Sequence, residues 1–90
     1  MKKAVITVLG HDKVGIIARV CTFLSEANVN ILDISQTIVG GYFDMVMVGD
    51  ITGMTQDFAK AVDGLASIGE EMGLAIKMQH TEIFDAMHRI

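Results

Sequence analysis

Residues 3–9 run Lys-Ala-Val-Ile-Thr-Val-Leu, apolar or β-branched on both parities. That pattern predicts a central strand covered on both faces, ended by Gly10. From Gly15 to Ala27 the spacing changes. Ile17, Val20, Cys21, Leu24 and Ala27 recur at helical intervals, with Ile16, Val20 and Phe23 as a parallel set. A helix with a wide buried stripe follows, with Asp12 as its N-cap and Asn28 in the left-handed stop position. Residues 29–39 read as a strand, and Gly40-Gly41 supplies the positive φ angles of a tight hairpin. The return strand spans 42–51, with Phe43, Met45, Met47 and Ile51 on a core face and Tyr42, Asp44, Val46, Val48 and Asp50 on a mixed face. Thr55 is the cap candidate for a second helix over 56–72. Its stripe is Phe58, Val62, Leu65, Ile68 and Met72, with Ala61 beside it, and Gly73 closes it. Leu74, Ile76 and Met78 then alternate with Ala75, Lys77 and Gln79, a half-buried strand. Thr81 can cap a last short helix carrying Ile83, Phe84, Met87 and Ile90.

The order is β-α-β-β-α-β plus a C-terminal helix. Two βαβ units with right-handed crossovers give an α+β, ferredoxin-like sandwich: a four-stranded antiparallel sheet with both helices on one face. The other face is left bare, with Tyr42, Val46 and Val48 on it. Bare valines are offered to a partner, or are ordinary exposed apolar residues.

Composition narrows the function. Ninety residues make one domain, and 51% hydrophobic residues with no Pro exclude disorder. A net charge of −4, with the seven Lys and Arg scattered, argues against nucleic acid and against an anionic membrane surface. The start Met1-Lys2-Lys3 leads straight into a strand. No apolar run approaches the ~20 residues of a membrane span or the pattern of a signal peptide. The chain is expected in the cytoplasm, with its single Cys21 reduced.

No catalytic constellation stands out. Cys21 lies on an apolar helix stripe and reads as a small buried hydrophobe. His11, His80 and His88 fall on different elements, without metal-ligand spacing, and His80 and His88 read as surface residues. The acidic pairs Asp12 with Asp33 and Asp44 with Asp50 read as solvated or capping groups. The first loop, Gly10-His11-Asp12-Lys13-Val14-Gly15, has no Arg to cradle a phosphate. The first strand has no aromatic platform for RNA bases. Two segments remain. One is that first loop, running into a helix N-terminus whose free N–H groups suit a carboxylate. The other is Asn28-Val29-Asn30-Ile31, where the Asn30 amide can both donate and accept. Packing at Gly15 and helix capping by Asn28 would explain these residues equally well.

Those two segments carry a resemblance. Val5-Ile6-Thr7-Val8, then Gly10-His11-Asp12-Lys13-Val14-Gly15-Ile16-Ile17-Ala18, Val20, Leu24, Asn28-Val29-Asn30-Ile31 and the strand ending near Asp50-Ile51 resemble the ACT domain. The chain is most similar to stand-alone bacterial members, akin to halves of the glycine-cleavage-system regulator. The resemblance covers the chain to about Thr81. It implies a single ACT-like domain over 1–90, with 81–90 as a C-terminal helical extension. It also implies side-by-side pairing of two sheets into one of eight strands, and a small ligand, commonly an amino acid, at the interface. Carried over, the site comprises His11, Asp12, Gly15 and Ile16 of one chain, with Asn28, Asn30 and Ile31 of the other. A ligand carboxylate would meet N–H groups near Val14, Gly15 and Ile16. Val14 stands where many members have Pro, and many members carry a catalytic or DNA-binding domain that is not expected here.

The reading is a non-enzymatic, amino-acid-sensing homodimer or higher assembly without a cofactor, acting through an unidentified regulated protein. The alternative is a structural interaction module that binds no ligand.

Overall fold

The computed structural model describes residues 2–81. They form β1 (Lys3–His11), α1 (Ile16–Glu26), β2 (Asn30–Val39), β3 (Tyr42–Asp50), α2 (Phe58–Met72) and β4 (Leu74–His80). All neighbouring strands are antiparallel, in the order β2-β3-β1-β4. This is the ferredoxin-like βαββαβ arrangement that the periodicities predict. The expected last helix, with Ile83, Phe84, Met87 and Ile90, lies outside the described residues.

Register explains the core. Ile6 stands opposite Met47 on one side and Met78 on the other, and Val8 opposite Met45 and Ile76. These side chains share one face of the sheet and are buried beneath Ile16, Val20 and Leu24 of α1 and Ala61, Leu65 and Ile68 of α2. Each of the larger side chains, valine, leucine, isoleucine or methionine, contributes ~1.5–3 kcal/mol by leaving water. The α1 stripe differs from the expected one. It centres on Ile16, Val20 and Leu24, while Ile17 is exposed and Cys21 and Phe23 are half-buried. The helix begins at Ile16, so i, i+4 spacing from that residue sets the inward face. Arg19 bridges to Glu71 at 2.8 Å across the exposed backs of the two helices. Such a surface pair adds at most ~1 kcal/mol.

The second sheet face is only partly covered. Val5 is 5% exposed on it, but Leu9, four residues on, is 53% exposed. Cover on both faces therefore holds for the first half of β1 and fails for the second. Tyr42 and Val46 are exposed there and Val48 is half-buried. The His11 and Tyr42 rings stack on this face, with centroids 4.6 Å apart.

The hairpin turn is as expected: Gly40 and Gly41 have φ of 57° and 83°. Two consecutive positive φ values define a type I′ turn, whose twist matches the flanking strands. The start of α2 is not as expected. Thr55 donates its N–H to the Ala27 carbonyl at 3.0 Å, tying the loop to the end of α1. The helix starts at Phe58, with Asp57 in the cap position but making no side-chain cap bond.

Asp50 closes the turn after β3 by accepting the Thr52 N–H at 2.9 Å. The Thr52 hydroxyl first, and its N–H second, hold the Asp50 carboxyl below its ordinary value of 3.8. A lowered folded-state value stabilises the fold above the unfolded value, and that contribution is lost as pH falls through the folded one. Asp50→Asn keeps an acceptor for the N–H and removes the titration. Urea unfolding between about pH 5 and pH 2 should therefore show a shallower loss of stability for the variant than for the wild type. Parallel profiles would show that the Asp50 contact does not contribute.

Candidate functional site

The start of α1 departs from the expected cap. Asp12 donates its N–H to the Gly41 carbonyl at 2.8 Å, continuing the strand pairing, and does not cap the helix. Gly15 takes the cap position at φ 90° and ψ 2°, with no side-chain cap bond. Nothing lies within 4 Å of where a Cβ would stand at Gly15, so its backbone angle, not packing, requires glycine. Arg19 donates its N–H to the Gly15 carbonyl at 2.9 Å. The N–H groups of Ile16, Ile17 and Ala18 precede that first helical bond and have no acceptor within the helix. No acidic residue occupies this first turn.

These three residues border a cleft of about 460 Å³, together with Asp12, Lys13, Gly15, Gln36, Ile38 and Phe43. The far wall follows from the hairpin: Ile38 stands opposite Phe43, and Gln36 opposite Met45, on the helix-facing side. Helix donors and the positive end of the helix dipole favour an anion, while the Lys13 ammonium lies beside Gly73 at the α2–β4 junction. The Asp12 carboxylate can accept from a cation. Ile17, Ile38 and Phe43 add an apolar wall, and the Gln36 amide can donate or accept. A small zwitterion with an apolar side chain matches this arrangement.

The structure brings together only part of the expected site. Asp12, Gly15 and Ile16 line the cleft. His11 turns to the other sheet face, against Tyr42. Val14 is fully exposed and is not part of the lining. Asn30 pairs with Asp50 and Ile31 with Gly49, at the opposite end of β2 from the Val39–Tyr42 pair. Ten residues of strand separate the two ends, roughly 30 Å. Asn28 has the expected left-handed φ, 61°, and its amide donates to the Gly53 carbonyl at 2.7 Å. Within one chain the Asn28-Val29-Asn30-Ile31 segment cannot reach the cleft. Lys13, Ile17, Ala18, Gln36, Ile38 and Phe43 were not among the residues expected from sequence. The two-residue turn was a usable signal for the last three, since it fixes Ile38 opposite Phe43 and puts Gln36 on the same side.

Outside the cleft, Cys21 and His80 have structural surroundings. Cys21 is half-buried against the core. His80, expected at the surface, is half-buried and stacks on Phe58 at 4.0 Å. Among the described residues no group of three or more His, Cys, Asp or Glu could hold a metal ion. No helix among them is long and apolar enough to cross a membrane.

Comparison with known proteins agrees with this fold. A UPF0237 protein of Bifidobacterium longum is 56% identical over 90 residues, covering all of both chains. The ACT domain protein from Streptococcus pneumoniae superposes with a TM-score of 0.80 at 38% identity, over 93% of this chain and 94% of that one. A protein assigned as a glycine cleavage system transcriptional repressor gives a TM-score of 0.72 at 24% identity, over 88% of this chain and 45% of its own, a likeness of fold alone. The ACT domain model matches residues 4–63, two-thirds of the sequence and both sides of the cleft, and the chain belongs to the ACT domain family.

Proposed function

We propose that this chain is a non-enzymatic regulatory module that binds an amino acid as a homodimer and passes the signal to a partner protein. The observation that carries the reading is the uncapped N-terminus of α1, opening into a cleft bordered by Asp12, Gln36, Ile38 and Phe43. An α-carboxylate would take the Ile16, Ile17 and Ala18 N–H groups, the ammonium would face Asp12, and the side chain would lie against Ile38 and Phe43. The dimer accounts for Asn30. Antiparallel pairing of two β2 edges would carry the start of one strand to the hairpin end of the other, beside the first loop. Asn30 of one copy would then read the ligand held by Ile16 of the other.

A thermal-shift screen with the twenty amino acids tests the reading. Ligand at 100-fold its dissociation constant adds ~2.7 kcal/mol, roughly 10–20 °C for a domain of this size. Asn30 is exposed, so Asn30→Ala should leave the unliganded melting temperature unchanged and weaken binding about ten-fold by calorimetry. No shift with any amino acid would favour the second reading, an interaction module without a ligand. That reading draws on the exposed Leu9, Val39, Tyr42 and Val46.

A further inference from the structure

The second face of the sheet, the one turned away from the helices, is sheltered at one end only. Strand register sorts its side chains into rows that cross the sheet. One row is Thr37, Asp44, Leu9 and Ala75, the next is Ser35, Val46, Thr7 and Lys77, and the third is Asp33, Val48, Val5 and Gln79. Every residue of the first row is exposed, and in the second only Thr7 is half-buried. In the third row Val48 and Gln79 are half-buried and Val5 is buried. Neighbouring strands shield a side chain from the sides and leave its tip in water, as at Val46, which is 37% exposed. Val5, at 5%, calls for a cover from above.

That end is also where β4 leaves the sheet. His80 is paired with Ala4, and the Thr81 hydroxyl donates to the Lys3 carbonyl at 3.4 Å, one row before Val5. Residues 82–90 follow, and their sequence sets Ile83, Phe84, Met87 and Ile90 on one side at helical spacing, with Glu82, Asp85, His88 and Arg89 on the opposite side. We infer that residues 82–90 of the same chain lie across this end of the second face, running from β4 over Val5 and Val48 to β2, with the apolar stripe against the sheet. The length fits. Nine residues of helix extend ~13.5 Å, and the three strand spacings from β4 to β2 measure ~14 Å. The attachment point favours the chain's own segment over that of a second copy, because Thr81 already stands beside the row to be covered. The helix-facing side offers no such place, since α1 and α2 pack on it. The cover divides the second face in two. It closes the Val5 row and leaves Leu9, Val39, Tyr42 and Val46 as the part open to a partner protein.

Crosslinking with a short bis-maleimide locates the segment. Asp33 and Thr37 lie on the same face of β2, four residues or ~13 Å apart, and both are exposed, so cysteine is tolerated at either. In a Cys21→Ser background, Asp33→Cys/Ile90→Cys should crosslink within one chain at least about ten-fold faster than Thr37→Cys/Ile90→Cys, because docking raises the effective concentration at one position and not the other. Adding Met87→Asp, which sets a carboxylate against Val48, should bring the faster rate down to the slower one. Equal rates in the two pairs would mean that the segment does not end at this row, and would overturn the inference. Crosslinked dimers in place of crosslinked single chains would assign the cover to a second copy and overturn it too. An unchanged rate with Met87→Asp would show that the apolar stripe does not face the sheet. The comparison of the first two pairs leaves Ile83, Phe84 and Met87 untouched, so it decides the matter even if Met87→Asp fails to fold.

Discussion

Gly69→Ala is expected to destabilise the domain by ~1–3 kcal/mol, lowering its melting temperature by roughly 5–20 °C. The sign is the informative part. In an exposed helix interior the same change stabilises by ~0.5–1 kcal/mol, because alanine is the better helix former. Gly69 sits in the middle of the last turns of α2, where the helix crosses the start of β4. A Cβ there would stand 2.5 Å from the Leu74 carbonyl oxygen, a backbone atom that cannot rotate away. The helix would have to lift off β4, opening the packing of Ile68 and Ile76. Chemical unfolding of Gly69→Ala beside Ser67→Ala, on the exposed side of the same helix, checks this. Equal stabilities for the two variants would show that the close approach does not constrain the fold.

The second large effect concerns the cleft. Gly15→Val should cost ~1–3 kcal/mol and abolish ligand binding, whereas Gly15→Asn should keep both within a few-fold. The space around Gly15 is open, so a side chain there blocks nothing directly. The backbone is what the substitution changes. At φ 90° a β-branched residue is strained, and relief of the strain would rotate the peptide that aims the Ile16 N–H. Asparagine tolerates the left-handed region and would hold the same loop. Thermal unfolding together with calorimetric titration separates the two variants. Loss of binding in both, with stability retained, would mean that the cleft rejects any side chain at this position, and that the backbone angle is not the cause.

These two glycines show where sequence reading succeeds and where it stops. Element order, the Gly40-Gly41 turn, the core parity of β3 and the alternation of β4 are local patterns, and the structure reproduces them. Gly73 and Asn28 were legible for the same reason, since helix stops depend on a single backbone angle. Gly69 was not legible, because its role depends on how near α2 comes to β4. Asp12 had the chemistry of a cap, but its N–H is claimed by Gly41, a residue on the hairpin. Ile17 satisfied the apolar spacing but turned toward the cleft when the helix began at Ile16. The first loop was identifiable as one wall of a site. The opposite wall, Gln36, Ile38 and Phe43, appears only when β2 and β3 fold back alongside α1. Asn30 lies at the far end of its own strand, so its part in a site depends on a second chain.

The central claim is that the free N–H groups at the start of α1 receive the carboxylate of an amino acid. The most direct test is an amide-resolved NMR titration of the nitrogen-15-labelled chain with each amino acid that shifts the melting temperature. The account predicts that the largest perturbations fall on the amides of Ile16, Ile17 and Ala18, with smaller ones at Gln36 and Ile38, and that the amino alcohol lacking the carboxylate produces none of them. Saturable perturbations centred on Leu9, Tyr42 and Val46, with the α1 amides unmoved, would contradict it and place the binding surface on the other face of the sheet.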